Sequence, residues 1–549
     1  MDDVRIKIGD KEIEVKKGTT LLELSKRYAS SFKFSILGAY VDNVIKELSY
    51  QLNKDAIVEF FDLSTSYGNM MYVNTLVFAC NVAIKELYGS DKEIIVEHSI
   101  DKSMYISTNF NVNEDITDEI ETKIRELAKE KLEIKKVNTL RKDAIKYFES
   151  INDLPKAGML NYNTNTYITL YRLNNIYDYF FCIMPMDTGV LSDFEISCVN
   201  NKGFVLRYPT VYCDTIKDYR HRSSIYDMYE DYRLWQKTIG INGVADLNDV
   251  VTRAEIDDLI RVNEVVHNTK LIHLAKDISQ NRKNIRVILL AGPSSSGKTT
   301  TTRKLCVLLK NYGVRPKMLS LDDYFKERKD TPKDKEGNYD FESLGAVDID
   351  LFNEQISALL KGETIKAPVF NFKQAKKEFI KDMSLEEDDV LVIEGIHCLN
   401  PVLLKDIPDE KKFKIYLAPF TKTNLDSHNR FSSSDTRLLR RIVRDTYTRG
   451  INVEESLKQW KKVRIGEEEN IYPYQDNANF VFNTYSIYEI GVLRTYVEPL
   501  LYSVSEDSPY YEEARRLLNL IKIFLPISSE AIPADSILRE FIGGSCYKE

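Results

Sequence analysis

The run Ile285-Arg-Val-Ile-Leu-Leu-Ala-Gly292-Pro293-Ser294-Ser295-Ser296-Gly297-Lys298-Thr299-Thr300 decides how the rest of the chain is read. Val287 to Leu290 is an apolar, β-branched stretch that predicts a buried parallel strand. It leads directly into Gly292–Thr299, which fits G-x-x-x-x-G-K-[ST] without a mismatch, and a helical stretch follows. Strand, glycine loop and helix in that order form an anion cradle: loop N–H groups and the positive end of the helix dipole face phosphate oxygens. Gly292, Pro293, Ser294, Ser295, Ser296, Gly297, Lys298, Thr299 and Thr300 are therefore the expected triphosphate-binding residues. Lys298 is expected to reach the β- and γ-phosphates, and the Thr299 hydroxyl to ligate Mg²⁺. A bound nucleoside triphosphate is the first expectation, and the acceptor of its phosphoryl group the open question.

At 549 residues the chain is long for one core, so several domains are expected. A net charge of −8 argues against a generally basic nucleic-acid-binding surface, though not against a local basic groove. The seven cysteines, at 80, 182, 198, 213, 306, 398 and 546, form no C-x-x-C pair and are odd in number. Free thiols in a reducing cytoplasm are the expectation. The N-terminus has no apolar signal core, and no apolar run is long enough for a spanning helix, so no membrane partner is expected.

Along the chain, Val4–Ile8 and Glu12–Val15 alternate around Gly9-Asp10 and predict a hairpin. Thr19 or Thr20 caps an expected helix over 21–28, and 36–41 and 56–61 read as further strands. That β-β-α-β-β order suggests a β-grasp module over 1–65. Residues 66–225 read as an α+β unit, 226–282 as a charged helical connector, 283–490 as an α/β domain, and 491–549 as a mostly helical extension.

Two carboxylates end predicted strands of the α/β domain. Asp322 follows Lys317–Leu321, where it can accept a proton from an acceptor hydroxyl or hold Mg²⁺ through water. Glu394 ends the apolar run Val390–Ile393, the usual place of a metal-associated carboxylate. Both lie at the ligand-binding edge of an open parallel sheet. Farther on, Arg437, Arg440, Arg441 and Arg444 recur at helical spacing on overlapping faces and can clamp transferring phosphates. His397 and Cys398 are expected to serve packing.

Six ordered pieces carry a resemblance over 285–484: GPSSSGKT, SLDDYF at 320–325, YDFESLGAVD at 339–348, APVFNF at 367–372, VIEGIH at 392–397 and RLLRRIVRDTYTRG at 437–450. This region resembles the uridine kinase/phosphoribulokinase family of P-loop kinases. The resemblance implies ATP and Mg²⁺ as cofactors, and phosphorylation of a sugar hydroxyl such as a nucleoside 5′-hydroxyl. It implies Asp322 as catalytic base with Lys298, Arg440, Arg441 and Arg444 in the catalytic set. Glu394 and Thr299 would serve the metal, while Asp340, with Phe370, Arg437 and Arg449, would bind the acceptor. Departures bear on the base: Phe370 stands where the uridine kinases carry Tyr, Ala375 where they carry a base-reading His, and Lys376 where Arg follows. A site without that polar reader is not expected to discriminate strongly for uridine.

The front half resembles the start of threonyl-tRNA synthetases, with residues 2–62 like the TGS module and 68–225 like the editing domain. The H-x-x-x-H and C-x-x-x-H pairs of that domain here read His98-Ser-Ile-Asp-Lys102 and Cys182-Ile-Met-Pro-Met186. One His and one Cys remain, so a metal site or a hydrolytic pair is not expected. The expected fold is thus α/β, a P-loop NTPase parallel sheet flanked by helices, preceded by a TGS-like β-grasp module and an editing-like α+β domain. A small-molecule nucleoside is the expected substrate. RNA or a nucleotide is a candidate effector of the front half, and a homo-oligomer a candidate assembly. The alternative function is an NTP-dependent, RNA- or tRNA-associated switch using the TGS-like half.

Overall fold

In the computed structural model, which describes residues 3–220, 222–334, 336–371, 374 and 376–547, the predicted strand at the glycine loop is the middle of a five-stranded sheet. The order is Arg315–Ser320, Asp389–Glu394, Val287–Ala291, Lys412–Ala418, Phe480–Asn483, and every neighbouring pair is parallel. Val287–Ala291 is buried along its whole length, which is why it reads as an unbroken apolar run. Its register sets Leu290 beside Glu394, and Ser320 lies beside Glu394 on the other side. The C-terminal ends of three strands therefore meet next to the glycine loop.

The stretch read as a connector is part of this domain's core. Ile225, Met228 and Tyr229 of helix Ser223–Thr238 pack with Val287 and Leu289 on one face of the sheet. Leu271, Leu274, Ala275 and Ile278 of helix Ile256–Gln280 pack with Ile288 and Leu290 on the other. The charges that suggested a connector occupy the outer faces of amphipathic helices, so composition alone hid the buried stripe. After the sheet, helices Glu489–Tyr502 and Tyr511–Ile521 and the short helix Arg539–Ile542 pack with Leu438, Leu439 and Ile442 in a separate core cluster beside it.

The first module is a mixed five-stranded sheet in which Asp3–Ile8 pairs antiparallel with Lys11–Lys16 and parallel with Ala56–Phe61. Helix Leu21–Ser25 crosses it, with Thr20 and Glu23 forming a capping box. The helix ends earlier than the spacing predicts, and a 3₁₀ turn follows over Ala29–Ser31. Next, the buried helix Ser66–Tyr88 and the amphipathic helix Glu114–Glu130 pack beside an antiparallel sheet of Glu195–Asn200, Gly203–Arg207, Ser103–Thr108 and Ile94–Ile100. Among the described residues no helix is long and apolar enough to cross a membrane.

The front half is joined to the P-loop domain by buried polar contacts. Glu97 forms an ion pair with Lys422, and both are nearly inaccessible, at 8% and 4% exposed. The Val96 amide donates to Ser427 O at 2.8 Å, and Asn424 Nδ2 donates to Val96 O at 2.8 Å. Nearby, buried Lys156 pairs with Asp178 and lies 3.2 Å from His428 Nδ1, which is itself 2.6 Å from Asp178 Oδ2. Removing one partner of a buried ion pair leaves an uncompensated charge. Lys422→Met is therefore expected to lower unfolding free energy by about 3–5 kcal/mol. Adding Glu97→Gln should recover much of that loss, and a urea-denaturation double-mutant cycle checks both.

Candidate functional site

Close packing fixes the shape of the glycine loop. A Cβ on Gly292 would lie 2.1 Å from Leu417 O, so the loop passes the neighbouring strand too closely for any side chain. Gly297 sits at φ +82°, and a Cβ there would lie 2.5 Å from Ile537 Cγ2. Both glycines of the motif are thus required for backbone reasons. The helix Lys298–Asn311 begins immediately after. Lys298 folds back over the loop, donating to Gly292 O at 3.0 Å and Pro293 O at 3.1 Å. The Thr300 amide in the first turn donates to Glu540 Oε2 at 3.0 Å.

The strand-end carboxylates converge as the register requires. Asp322 lies in the 3₁₀ turn Leu321–Tyr324, and its amide donates to Ser320 Oγ at 3.3 Å. Ser320 Oγ in turn donates to Glu394 Oε1 at 3.2 Å. Burial, and then the Asp322 charge, push Glu394 up to about 7. Burial also raises Asp322, with Asp323 adding to the rise and Lys298 and Arg449 opposing it. Two buried carboxyls, one of them raised by the charge of the other, with a lysine acting on both, form a site that favours a cation. Thr299 and Glu394 supply hard oxygen donors of the kind Mg²⁺ takes when phosphate oxygens complete its shell. Among the described residues no group of three or more His, Cys, Asp or Glu is placed to hold a metal by itself.

A third carboxyl enters this cluster where the sequence pointed to its neighbour. Asp340, expected to hold the acceptor's hydroxyls, also caps a turn: its Oδ1 accepts from the amides of Glu342 at 3.1 Å and Ser343 at 3.2 Å. Glu342 lies within electrostatic reach of Asp322, Lys298 and Arg441. Burial and then the Glu467 charge push it up to about 7, and Arg441 and Lys298 pull the other way. Its approach depends on Gly466, where a Cβ would lie 2.4 Å from Glu342 Cβ. The signal was present two residues along in Tyr339-Asp-Phe-Glu342, but a run with two acids does not say which one the turn consumes. Asp348 caps helix Ile349–Leu360 and pairs with Lys377 at 2.8 Å.

The arginine helix, Ser433–Arg449, turns Arg437, Arg440 and Arg441 inward. Arg440 is fully buried: Nε and Nη2 donate to Glu489 at 3.0 and 2.6 Å, and Nη2 donates to Thr484 O at 2.8 Å. Arg437 is 2% exposed, pairs with Glu467, and donates to Ser294 O at 2.8 Å and to Tyr472 Oη at 3.1 Å. Both guanidiniums brace the glycine loop from behind, because the face that carries them is the buried one. Arg441 Nη1 donates to Ser294 Oγ at 3.2 Å, and Arg441 Nη2 donates to Gln459 Oε1 at 2.9 Å. Arg444 and Arg449 pair with Asp445 at 3.1 and 3.3 Å, toward the outer end of the helix. Phe370 is 5% exposed and packs edge-on against Phe325, with ring centroids 5.9 Å apart. Ala375, at the expected base-reading position, lies outside the described residues, as does Phe372. His397 and Cys398 are buried, and burial holds His397 down to about 4.

In the front half, the His98 ring is fully buried and stacks on Tyr229 at 3.9 Å and 9°. Neither of its nitrogens has a hydrogen-bond partner among the described residues, and burial pushes its pKa well down. Lys102 pairs with Glu468 of the P-loop domain at 3.2 Å. Cys182 Sγ accepts from Asn74 Nδ2 at 3.1 Å, and burial pushes the thiol up to about 12.

Comparison with known proteins divides the chain in the same way. Residues 287–490 match the model of the Phosphoribulokinase / Uridine kinase family. A uridine kinase of Staphylococcus aureus is 28% identical over 200 residues, 36% of this chain and 87% of that protein. One from Halobacterium salinarum is 28% identical over 193 residues, 35% of this chain and 77% of that protein. A threonine–tRNA ligase of Clostridium kluyveri is 29% identical over 171 residues, 31% of this chain, and the match spans 27% of that ligase's length. The C-terminal region 287–490 is thus of the Phosphoribulokinase / Uridine kinase family, and the N-terminal part is homologous to threonine–tRNA ligases.

Proposed function

We propose that the P-loop domain binds ATP and transfers its γ-phosphoryl group to a hydroxyl of a small alcohol, the 5′-hydroxyl of a nucleoside being the favoured acceptor. The observation that carries this reading is the meeting of Asp322 and Glu394 beside Lys298 at the C-terminal edge of a parallel sheet. A nucleotide switch needs the glycine loop, whereas an acceptor-side carboxyl is needed only to deliver a hydroxyl. Asp322 accepts the proton that the acceptor oxygen loses as it attacks phosphorus. Asp340, with Glu342 two residues on, is the group that orients the acceptor's remaining hydroxyls. Lys298 leaves the loop carbonyls to meet the β- and γ-phosphates. Thr299 and Glu394 would hold Mg²⁺, which when bound neutralises charge between the transferring phosphates. The names of the uridine kinase relatives favour a nucleoside, and the absence of a polar residue at Phe370 favours a tolerant base site.

ADP release measured with ATP, Mg²⁺ and a panel of nucleosides and sugar phosphates tests the proposal. Turnover with one acceptor is expected, and Asp322→Asn should lower kcat at least about 10²-fold while leaving ATP binding intact. Release indifferent to every acceptor, or stimulated only by tRNA, would replace this reading with that of an RNA-associated switch.

The carboxyl cluster also predicts a pH dependence. Glu394 and Glu342 are raised from the usual 4.5 to about 7, by burial first. Their protonated forms are the ones the nucleotide-free fold favours. This contribution to stability is complete below the unfolded value and is lost as pH rises through about 7. The Tm of the nucleotide-free protein should therefore fall between about pH 4.5 and pH 7 and level off above that, and Glu394→Gln should flatten that fall. A pH series of thermal unfolding scans on both proteins decides it, and an unchanged slope in the variant would refute the assignment.

A further inference from the structure

The phosphate cradle already holds an anion supplied by the chain itself. Glu540, from the C-terminal helix Arg539–Ile542, accepts a hydrogen bond from the Thr300 amide at 3.0 Å. That amide belongs to the first turn of the helix after Gly-Lys-Thr, where free N–H groups and the helix dipole favour phosphate oxygens. The segment carrying Glu540 is fixed there by its own anchors. Asp535 Oδ2 pairs with Lys304 of the same helix at 2.9 Å, and Ile537 covers Gly297. Ser536 Oγ donates to Glu264 Oε1 at 2.9 Å, and the fully buried Phe541 ring lies under the Arg440 guanidinium at 4.9 Å. Leu538 and Phe541 are buried in the main core, whereas Glu540 itself is only partly buried. The side chain can therefore rotate out while its helix stays in place.

We propose that Glu540 is a built-in competitor for nucleotide phosphate. In the nucleotide-free protein it occupies the Thr300 amide, and ATP must displace its carboxylate to bind. This rests on the reading of the cradle as an ATP site. The chemistry of the exchange is simple: one anionic oxygen replaces another on the same N–H, so the Glu540 carboxylate raises the free energy of nucleotide entry by hydrogen-bond competition and by charge repulsion. Lys298, tied to its own loop carbonyls, is the matching cationic half of the same closed state. The C-terminal extension thus sets the ATP affinity of the domain it follows.

Equilibrium titration of the full chain with Mg·ATP, and separately with inorganic tripolyphosphate, tests this in the wild type, Glu540→Ala, Glu540→Gln and Lys298→Ala. Glu540→Ala should bind both ligands about tenfold more tightly than wild type, the size of one charge-assisted hydrogen bond. Glu540→Gln, which keeps the shape and loses the charge, should fall between them and guards against a folding defect in the alanine variant. Equal affinity in wild type and both Glu540 variants, with binding lost in Lys298→Ala, would overturn the competitor and leave the ATP site standing. Weaker binding in the Glu540 variants would make the carboxylate a structural cap and also overturn it. Binding that is absent everywhere, or insensitive to Lys298→Ala, would remove the ATP reading and this proposal with it.

Discussion

The Arg440 guanidinium holds the site together. It is fully buried, pairs with the equally buried Glu489, and donates to Thr484 O. Its Nη1 also reaches Ser295 O in the glycine loop at 3.4 Å, and its face rests on Phe541. One planar cation therefore registers the glycine loop, the end of the last sheet strand, the helix Glu489–Tyr502 and the C-terminal segment against each other. A charge in that position cannot be released without stranding Glu489, so the arrangement is fixed rather than mobile. Arg437 repeats the device with Glu467, whose Oε1 also accepts from the Ser294 amide at 3.2 Å. The loop is thus preformed around internal ion pairs before any nucleotide arrives, which is the kind of preorganisation that phosphoryl transfer uses.

Much of this was legible in the sequence, and the part that was not has a physical reason. The glycine loop and both strand-end acids could be placed because parallel strands in register bring their C-terminal residues side by side. Leu290, Glu394 and Ser320 meet on that account alone. The arginine spacing correctly defined a helix face, but a face carries no label saying whether it turns outward to a ligand or inward to a loop. That depends on Glu467 and Glu489, which lie 30 and 49 residues farther along the chain. Asp340 and Glu342 differ by a local choice, since one of them also caps the turn with an oxygen. Glu540 was beyond sequence reasoning: it meets Thr300 across 240 residues, and nothing local in either segment signals the contact.

In the front half, the stretch around the incomplete histidine pair lies against the P-loop domain. The position of His98 follows from the irregular pairing between Val96 and His98 in strand Ile94–Ile100. The ring lies flat on Tyr229, and Tyr229 in turn meets Phe420, at 5.4 Å, just beyond the strand Lys412–Ala418. Lys102, at the end of the same five-residue pattern, pairs with Glu468 on the helix that supplies Glu467 to the glycine loop. Glu97 and Val96 meanwhile grip Lys422, Asn424 and Ser427 in the segment that leads into the arginine helix. His98, which remains of the histidine pair, and Lys102, which stands in place of its partner, are thus interface residues. Burial of Glu97 against Lys422, and of Asp178 against His428, makes separation of the two halves unfavourable unless these groups are rehydrated together.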